Sequence, residues 1–124
     1  MAISSGPSRE ERIKREFNRL KRLLKDIPKE KYSAAEGIVR RVSFMAITLE
    51  DLEVDINASG AVEEFTQGDN SYERARPSVQ IYNTTVKNYA TACKQLTDLV
   101  PEGKPKVNPV LDPFQQIMAR GQSG

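Results

Sequence analysis

The fold of this chain is decided by residues 28–59, PKEKYSAAEGIVRRVSFMAITLEDLEVDINAS, and residues 77–100, PSVQIYNTTVKNYATACKQLTDLV. In the first stretch, apolar side chains recur at alternating steps of three and four residues: Ala35, Ile38, Val42, Met45, Leu49, Leu52 and Ile56. The second stretch repeats this stepping: Val79, Tyr82, Val86, Tyr89, Cys93, Leu96 and Val100. Two matched a/d seams joined by a short polar link predict a long antiparallel helical hairpin in an all-α protein.

Some apolar residues lie off these seams and need a further cover: Val39, Ile47, Val54, Ile81 and Leu99. The cover is the N-terminal helix, another copy of the chain, or both. We expect both, because one short helix cannot cover two long ones. The pattern therefore predicts self-association.

Length and composition favour a small helical assembly over a deep catalytic pocket. The chain has 124 residues, 38% of them apolar and 29% charged, with no Trp and no His. The single Cys93 falls on a seam and is expected to be a small buried group. Without an internal disulfide, a signal peptide or a bilayer-spanning run, the sequence predicts a soluble protein of a reducing cytoplasm.

Positive and negative charges are strongly segregated along the chain, although the net charge is only +2. Met1–Arg41 carries twelve Lys and Arg against six acids, Val42–Glu73 carries eight acids and no base, and Arg74–Gly124 carries seven bases against three acids. The chain thus has a basic end and an acidic middle, which can attract a polyanion or a neighbouring copy.

Capping residues, prolines and glycines divide the chain into four segments. Residues 1–7 are predicted to be a disordered tail, and Ser8, with Glu11 in a capping box, to open a basic helix over 8–27. Residues 28–100 are predicted to form the helical-hairpin core. Residues 101–124, which are rich in Pro and Gly, are predicted to form a flexible tail. The link over 61–76 predicts a small β-hairpin that turns at 67–70.

The polar face of the basic helix is sorted by residue type. Its cations fall in two rows, arginines on one and lysines on its flank: Arg12, Arg15, Arg19 and Arg22, then Lys14, Lys21 and Lys25. Guanidinium groups in a row suit successive phosphates of a nucleic-acid backbone. A membrane-surface helix and plain solvation are the alternatives. Arg40 and Arg41 point away from the seam, either into the channel of a ring or into solvent.

Two further patterns bear on function. Phe114, Ile117 and Met118 in the tail have the spacing of a peptide that folds into a partner's groove, or are chance apolar residues. Asp51 and Asp55 lie one helical turn apart, but no His, phosphate loop or converging carboxylate accompanies them. A solvated or inter-subunit acidic face is favoured, and we predict no catalytic residue, metal or cofactor.

The chain resembles the small terminase subunits of tailed bacteriophages over residues 24–101. The segments that carry the resemblance are Leu24–Pro28 (LKDIP), Phe44–Leu49 (FMAITL), Glu64–Asn70 (EFTQGDN) and Pro77–Tyr89 (PSVQIYNTTVKNY), with Tyr82–Tyr89 the most specific.

This resemblance implies a non-enzymatic DNA-packaging protein of the host cytoplasm that forms a homo-oligomeric ring, with about nine subunits as the best guess. The ring would bind double-stranded viral DNA and deliver it to a large subunit that holds the ATPase and nuclease. DNA contact falls on the seven cations of the two rows named above, with Arg40 and Arg41 as channel residues. Phe114, Ile117 and Met118 would meet the large subunit.

The sequence departs from many members of that family at its N-terminus, where one helix rather than a helix-turn-helix precedes Pro28. Backbone contact is therefore expected instead of readout by a major-groove recognition helix. The alternative function is a helical adapter that bridges proteins through the acidic middle and the tail, without binding DNA.

Overall fold

The computed structural model describes residues 6–101, which form three helices and a small antiparallel sheet, in agreement with the predicted secondary structure. Of the two predicted tails, residues 1–5 and 102–124 lie outside the described residues. None of the helices in the described range is long and apolar enough to cross a membrane. The elements are, in order, α1 (Arg9–Leu23), α2 (Lys29–Ser59), β1 (Val62–Gln67), β2 (Asn70–Ala75) and α3 (Pro77–Thr97).

Helix α1 begins as predicted and ends earlier than predicted. The Ser8 hydroxyl accepts the N–H of Glu11 at 3.1 Å, which satisfies one of the free amides of the first turn. The helix ends at Leu23, four residues short of the predicted Ile27. Residue Ile27 precedes a proline, which disfavours the helical backbone, and the chain turns there before α2 starts at Lys29.

Helices α2 and α3 run antiparallel, as predicted, but the predicted seam residue Val86 is exposed. At the hairpin end, Arg76 pairs with Asp55 at 2.8 Å, and the Tyr82 hydroxyl donates to Glu53 at 2.9 Å. At the other end, Val39 of α2 lies in one buried cluster with Leu96 of α3. Later residues of α3 therefore contact earlier residues of α2, as in an antiparallel pair.

The link forms the predicted β-hairpin, with strands slightly longer than expected. Gln67 pairs with Asn70 across a two-residue turn. Gly68 has φ 62 while Asp69 keeps a negative φ, as in a type II′ turn. The rings of Phe65 and Tyr72 pack on each other, with centroids 5.5 Å apart.

The core lies at the end of the hairpin that α1 reaches. Its buried members come from all three helices and the turns that follow α1 and α3: Leu20, Leu24, Ile27, Ala35, Val39, Val42, Cys93, Leu96 and Val100. Val39 and Ile47, predicted to need a cover off the seam, are both buried in this three-helix arrangement. Val54, at 68% exposure, and Ile81, at 54%, remain open. The N-terminal helix is thus one of the two predicted covers.

We predict that Leu20→Ala lowers the free energy of unfolding by about 2–5 kcal/mol, because a fully buried leucine leaves a cavity. Its side chain is 0% exposed and belongs to the cluster that holds α1 on the hairpin. Urea unfolding at fixed protein concentration measures the change. The control Gln80→Ala, at an exposed polar position of α3, should change the value by no more than about 0.5 kcal/mol. Equal effects of the two substitutions would contradict the docking of α1.

Candidate nucleic-acid interface

The face of α1 that points away from the core is strongly basic. At about 100° per residue, Lys14, Arg15, Lys21 and Arg22 occupy roughly a third of the helix circumference, opposite the buried Leu20. Lys25 follows in the turn after the helix. We call these five residues the basic strip. All five are exposed, and none forms an ion pair with any other residue in the range 6–101.

Two arginines predicted to contact DNA have carboxylate partners within the chain. Arg12 donates to Asp51 at 2.7 Å and to Glu50 at 2.8 Å. Arg19 donates through two nitrogens to Glu16, at 2.7 Å each. These hydrogen bonds raise the pKa of both guanidinium groups. The predicted arginine row therefore divides, with Arg15 and Arg22 facing solvent and Arg12 and Arg19 turned towards carboxylates.

Arg40 and Arg41, the predicted channel residues, are both exposed on the first half of α2. Arg40 pairs with Glu36 at 2.8 Å, and its guanidinium lies 4.8 Å from the centre of the Phe17 ring. Arg41 makes a long contact, 3.5 Å, with the carbonyl of Gly37. The predicted large-subunit contacts lie outside the described residues: Phe114, Ile117 and Met118.

Between α1 and α2 lies an open groove of about 520 Å³. A second concavity, of about 540 Å³, adjoins it and shares Asn18 and Arg22 with it. The groove is lined by four arginines, two carboxylates, an amide and one apolar side chain: Arg12, Arg15, Arg19, Arg22, Glu16, Glu50, Asn18 and Ile47. Arg15 and Arg22 of the basic strip therefore also line this groove.

The acidic middle of the sequence is largely satisfied within the chain. Of the eight acids in residues 42–73, six accept a side-chain hydrogen bond: Glu50, Asp51, Glu53, Asp55, Glu63 and Glu64. Four of these six also pair with an arginine: Glu50, Asp51, Asp55 and Glu63. The five cations of the strip have no such carboxylate partner among the described residues, and neither do Lys29, Lys31, Arg41 and Lys87.

Asp51 and Asp55, the pair considered for a metal, bind different arginines. Asp51 accepts from Arg9 and Arg12, whereas Asp55 accepts from Arg76. Within residues 6–101, no group of three or more His, Cys, Asp or Glu side chains could hold a metal ion.

Arg9 is the contact that the sequence did not reveal. Its guanidinium donates to Asp51 and to the Thr48 hydroxyl, both at 2.6 Å, and lies 5.0 Å from the centre of the Phe44 ring. Arg9 precedes Arg12 by one helical turn, so the spacing places both on one side of α1. Their partners lie 38 to 42 residues away in the sequence, and local spacing carries no information about them.

Comparison with family models, curated proteins and solved structures finds no match to this chain. The assignment of the interface therefore rests on the geometry and charge of the chain itself.

The Asp51 contacts predict a defined pH dependence. The hydrogen bond from Arg12, with a further contribution from Arg9, lowers the pKa of Asp51 below its usual 3.8. A lowered pKa in the folded state adds stability above pH 3.8, and this stability is lost as the pH falls through the folded-state pKa. The gap in unfolding free energy between the wild type and Asp51→Asn should therefore be constant near neutral pH and shrink in acid.

Urea unfolding at a series of pH values measures this gap, with Asp69→Asn in the hairpin turn as the control. The control should track the wild type near neutral pH, because Asp69 makes no ion pair with residues 6–101. A gap that widens in acid would show that the Asp51 carboxylate does not stabilise the docked α1.

Proposed function

We propose that this chain is a non-catalytic viral DNA-packaging subunit that binds double-stranded DNA through the basic strip of α1. It forms a ring of its own copies and recruits or regulates a large terminase subunit with ATPase and nuclease activity. The observation that carries the proposal is the contrast between the five uncompensated cations of the strip and the acids of the middle segment, most of which have partners.

Backbone phosphate is the ligand that best fits this strip. Arg15 and Arg22 are seven residues apart, about 10 Å along the helix, and each offers a planar fork of donors to a phosphate. The strip contains no aromatic side chain, so stacking of single-stranded bases does not contribute. The row of cations on α1 favours contact with the DNA backbone over readout of base edges.

Ring formation draws support from the apolar surface that a single chain leaves open. Large apolar side chains remain exposed on α2, the β-hairpin and α3: Phe44, Val54, Val62, Tyr72, Ile81 and Val86. A second copy covers such positions at a favourable free energy of about 25 cal/mol per Å² buried. The proposed ring has about nine subunits, with Arg40 and Arg41 towards its channel.

The adapter alternative has less support, because its predicted contact surface, the acidic middle, is already engaged by Arg9, Arg12, Arg74 and Arg76. The large-subunit contact through Phe114, Ile117 and Met118 is proposed from the resemblance to small terminase subunits alone.

The triple substitution Arg15→Ala, Lys21→Ala and Arg22→Ala tests the strip. It should weaken the binding of a random-sequence DNA duplex and reduce the slope of log affinity against log salt concentration by about 2 to 3, because each lost phosphate contact removes about 0.9. Fluorescence anisotropy across a salt series measures both quantities.

The matched control is Lys29→Ala, Lys31→Ala and Lys87→Ala, which removes the same charge from exposed positions elsewhere on the chain. Its salt slope should stay close to that of the wild type. Equal losses in the two triple variants would mean that net charge, rather than the strip, drives DNA binding. Negligible affinity of the wild type at low salt would favour the adapter.

A further inference from the structure

The two halves of α1 are held on the hairpin by different interactions. Its C-terminal half contributes Leu20, which is fully buried in the core together with Leu24 and Ile27 from the turn that follows. Its N-terminal half places only the half-buried Ile13 on the side of the core, and Arg9 and Arg12 make polar contacts to α2. Their partners are a hydroxyl, two carboxylates and one aromatic ring: Thr48, Glu50, Asp51 and Phe44.

These polar contacts are open to solvent and ions. The side chain of Arg12 is 29% exposed, that of Asp51 42% and that of Glu50 59%. Ion pairs at such exposure are individually weak and are screened by salt. The N-terminal half of α1 is therefore attached far less firmly than the C-terminal half.

The groove between α1 and α2 brings these pairs next to the basic strip. Arg12 and Glu50 line it together with Arg15 and Arg22, which have no carboxylate partner. A phosphate chain that binds Arg15 and Arg22 approaches the Glu50 carboxylate, which repels it, and Arg12, which attracts it. The guanidinium fork of Arg12 fits a phosphate as well as it fits a carboxylate, so binding in the groove places the two anions in competition for Arg12.

We propose that Arg9 and Arg12 form an electrostatic latch, which a bound polyanion opens by drawing them away from Asp51 and Glu50. The first turns of α1 then lift off α2 while Leu20 keeps the second half docked. Ile47, which is 5% exposed and lines the groove, becomes accessible beside the exposed Phe44 and Val54. The inference rests on the proposed function, and it couples DNA occupancy to the uncovering of an apolar stripe on α2.

A thiol at position 47 tests the latch. We would measure the rate at which a maleimide modifies Ile47→Cys, with and without a random-sequence DNA duplex whose binding is followed by anisotropy in the same samples. Burial raises the pKa of the native Cys93 thiol to about 11, so Cys93 contributes little to the signal near neutral pH. Gln80→Cys, at an exposed polar position of α3 outside the groove lining, is the control.

Bound DNA should raise the labelling rate of Ile47→Cys by about tenfold, the change expected from the loss of exposed ion pairs of ordinary strength. The rate of Gln80→Cys should stay unchanged. Adding Glu50→Gln and Asp51→Asn to Ile47→Cys should raise its rate to a similar extent without DNA.

DNA binding with an unchanged or slower rate at position 47 would overturn the latch and leave the proposed function standing. Absence of DNA binding would overturn both. If Ile47→Cys does not fold, amide hydrogen exchange of the wild-type protein tests the latch instead. On DNA binding, residues 11–13 should exchange faster and residues 20–23 no faster than before, whereas slower exchange throughout α1 would contradict the latch.

Discussion

The packing of Leu20, Leu24 and Ile27 against Val39 and Leu96 is the interaction on which the rest of the structure depends. Two helices that share one seam cannot enclose a core, because each keeps apolar positions off the contact line. Helix α1 supplies the third layer at one end of the hairpin. Because a helix that buries one face must expose the opposite one, this docking also decides which cations face solvent. The basic strip is thus a consequence of how the core is closed.

The same helix uses its arginines in two ways. Arg9 and Arg12 lie on the flank of α1 beside α2, where they neutralise carboxylates that would otherwise repel a polyanion. Arg15 and Arg22 lie farther round the helix and stay uncompensated. A protein that is almost neutral overall, at +2, can in this way present a concentrated positive surface. Assembly and nucleic-acid binding are proposed for different surfaces, since the exposed apolar side chains lie on α2, α3 and the β-hairpin.

The seams predicted α2, α3 and their antiparallel pairing because heptad-like spacing is a local property of the sequence. The Ser8 cap and the turn around Gly68 were equally local signals. The early end of α1 could not be predicted, because the apolar stripe continues through Ile27 and Pro28 marks only the last position at which the helix can end. The Arg19–Glu16 pair is a local signal, because the two residues are three apart on one helix. The Arg12–Asp51 pair could not be predicted, since it spans 39 residues and forms only through the docking of α1. For the same reason the acidic middle was interpreted as a free surface, whereas four of its eight acids pair with arginines.

The central claim is that copies of this chain assemble into a closed DNA-binding ring. The most direct measurement is the mass of the protein in solution, by light scattering behind a sizing column at low and at moderate salt. The account predicts one closed multiple of the 13.9 kDa chain at both salt concentrations, near nine copies, with co-elution of a DNA duplex at low salt. A monomer or dimer that elutes apart from the DNA at either salt concentration would contradict it.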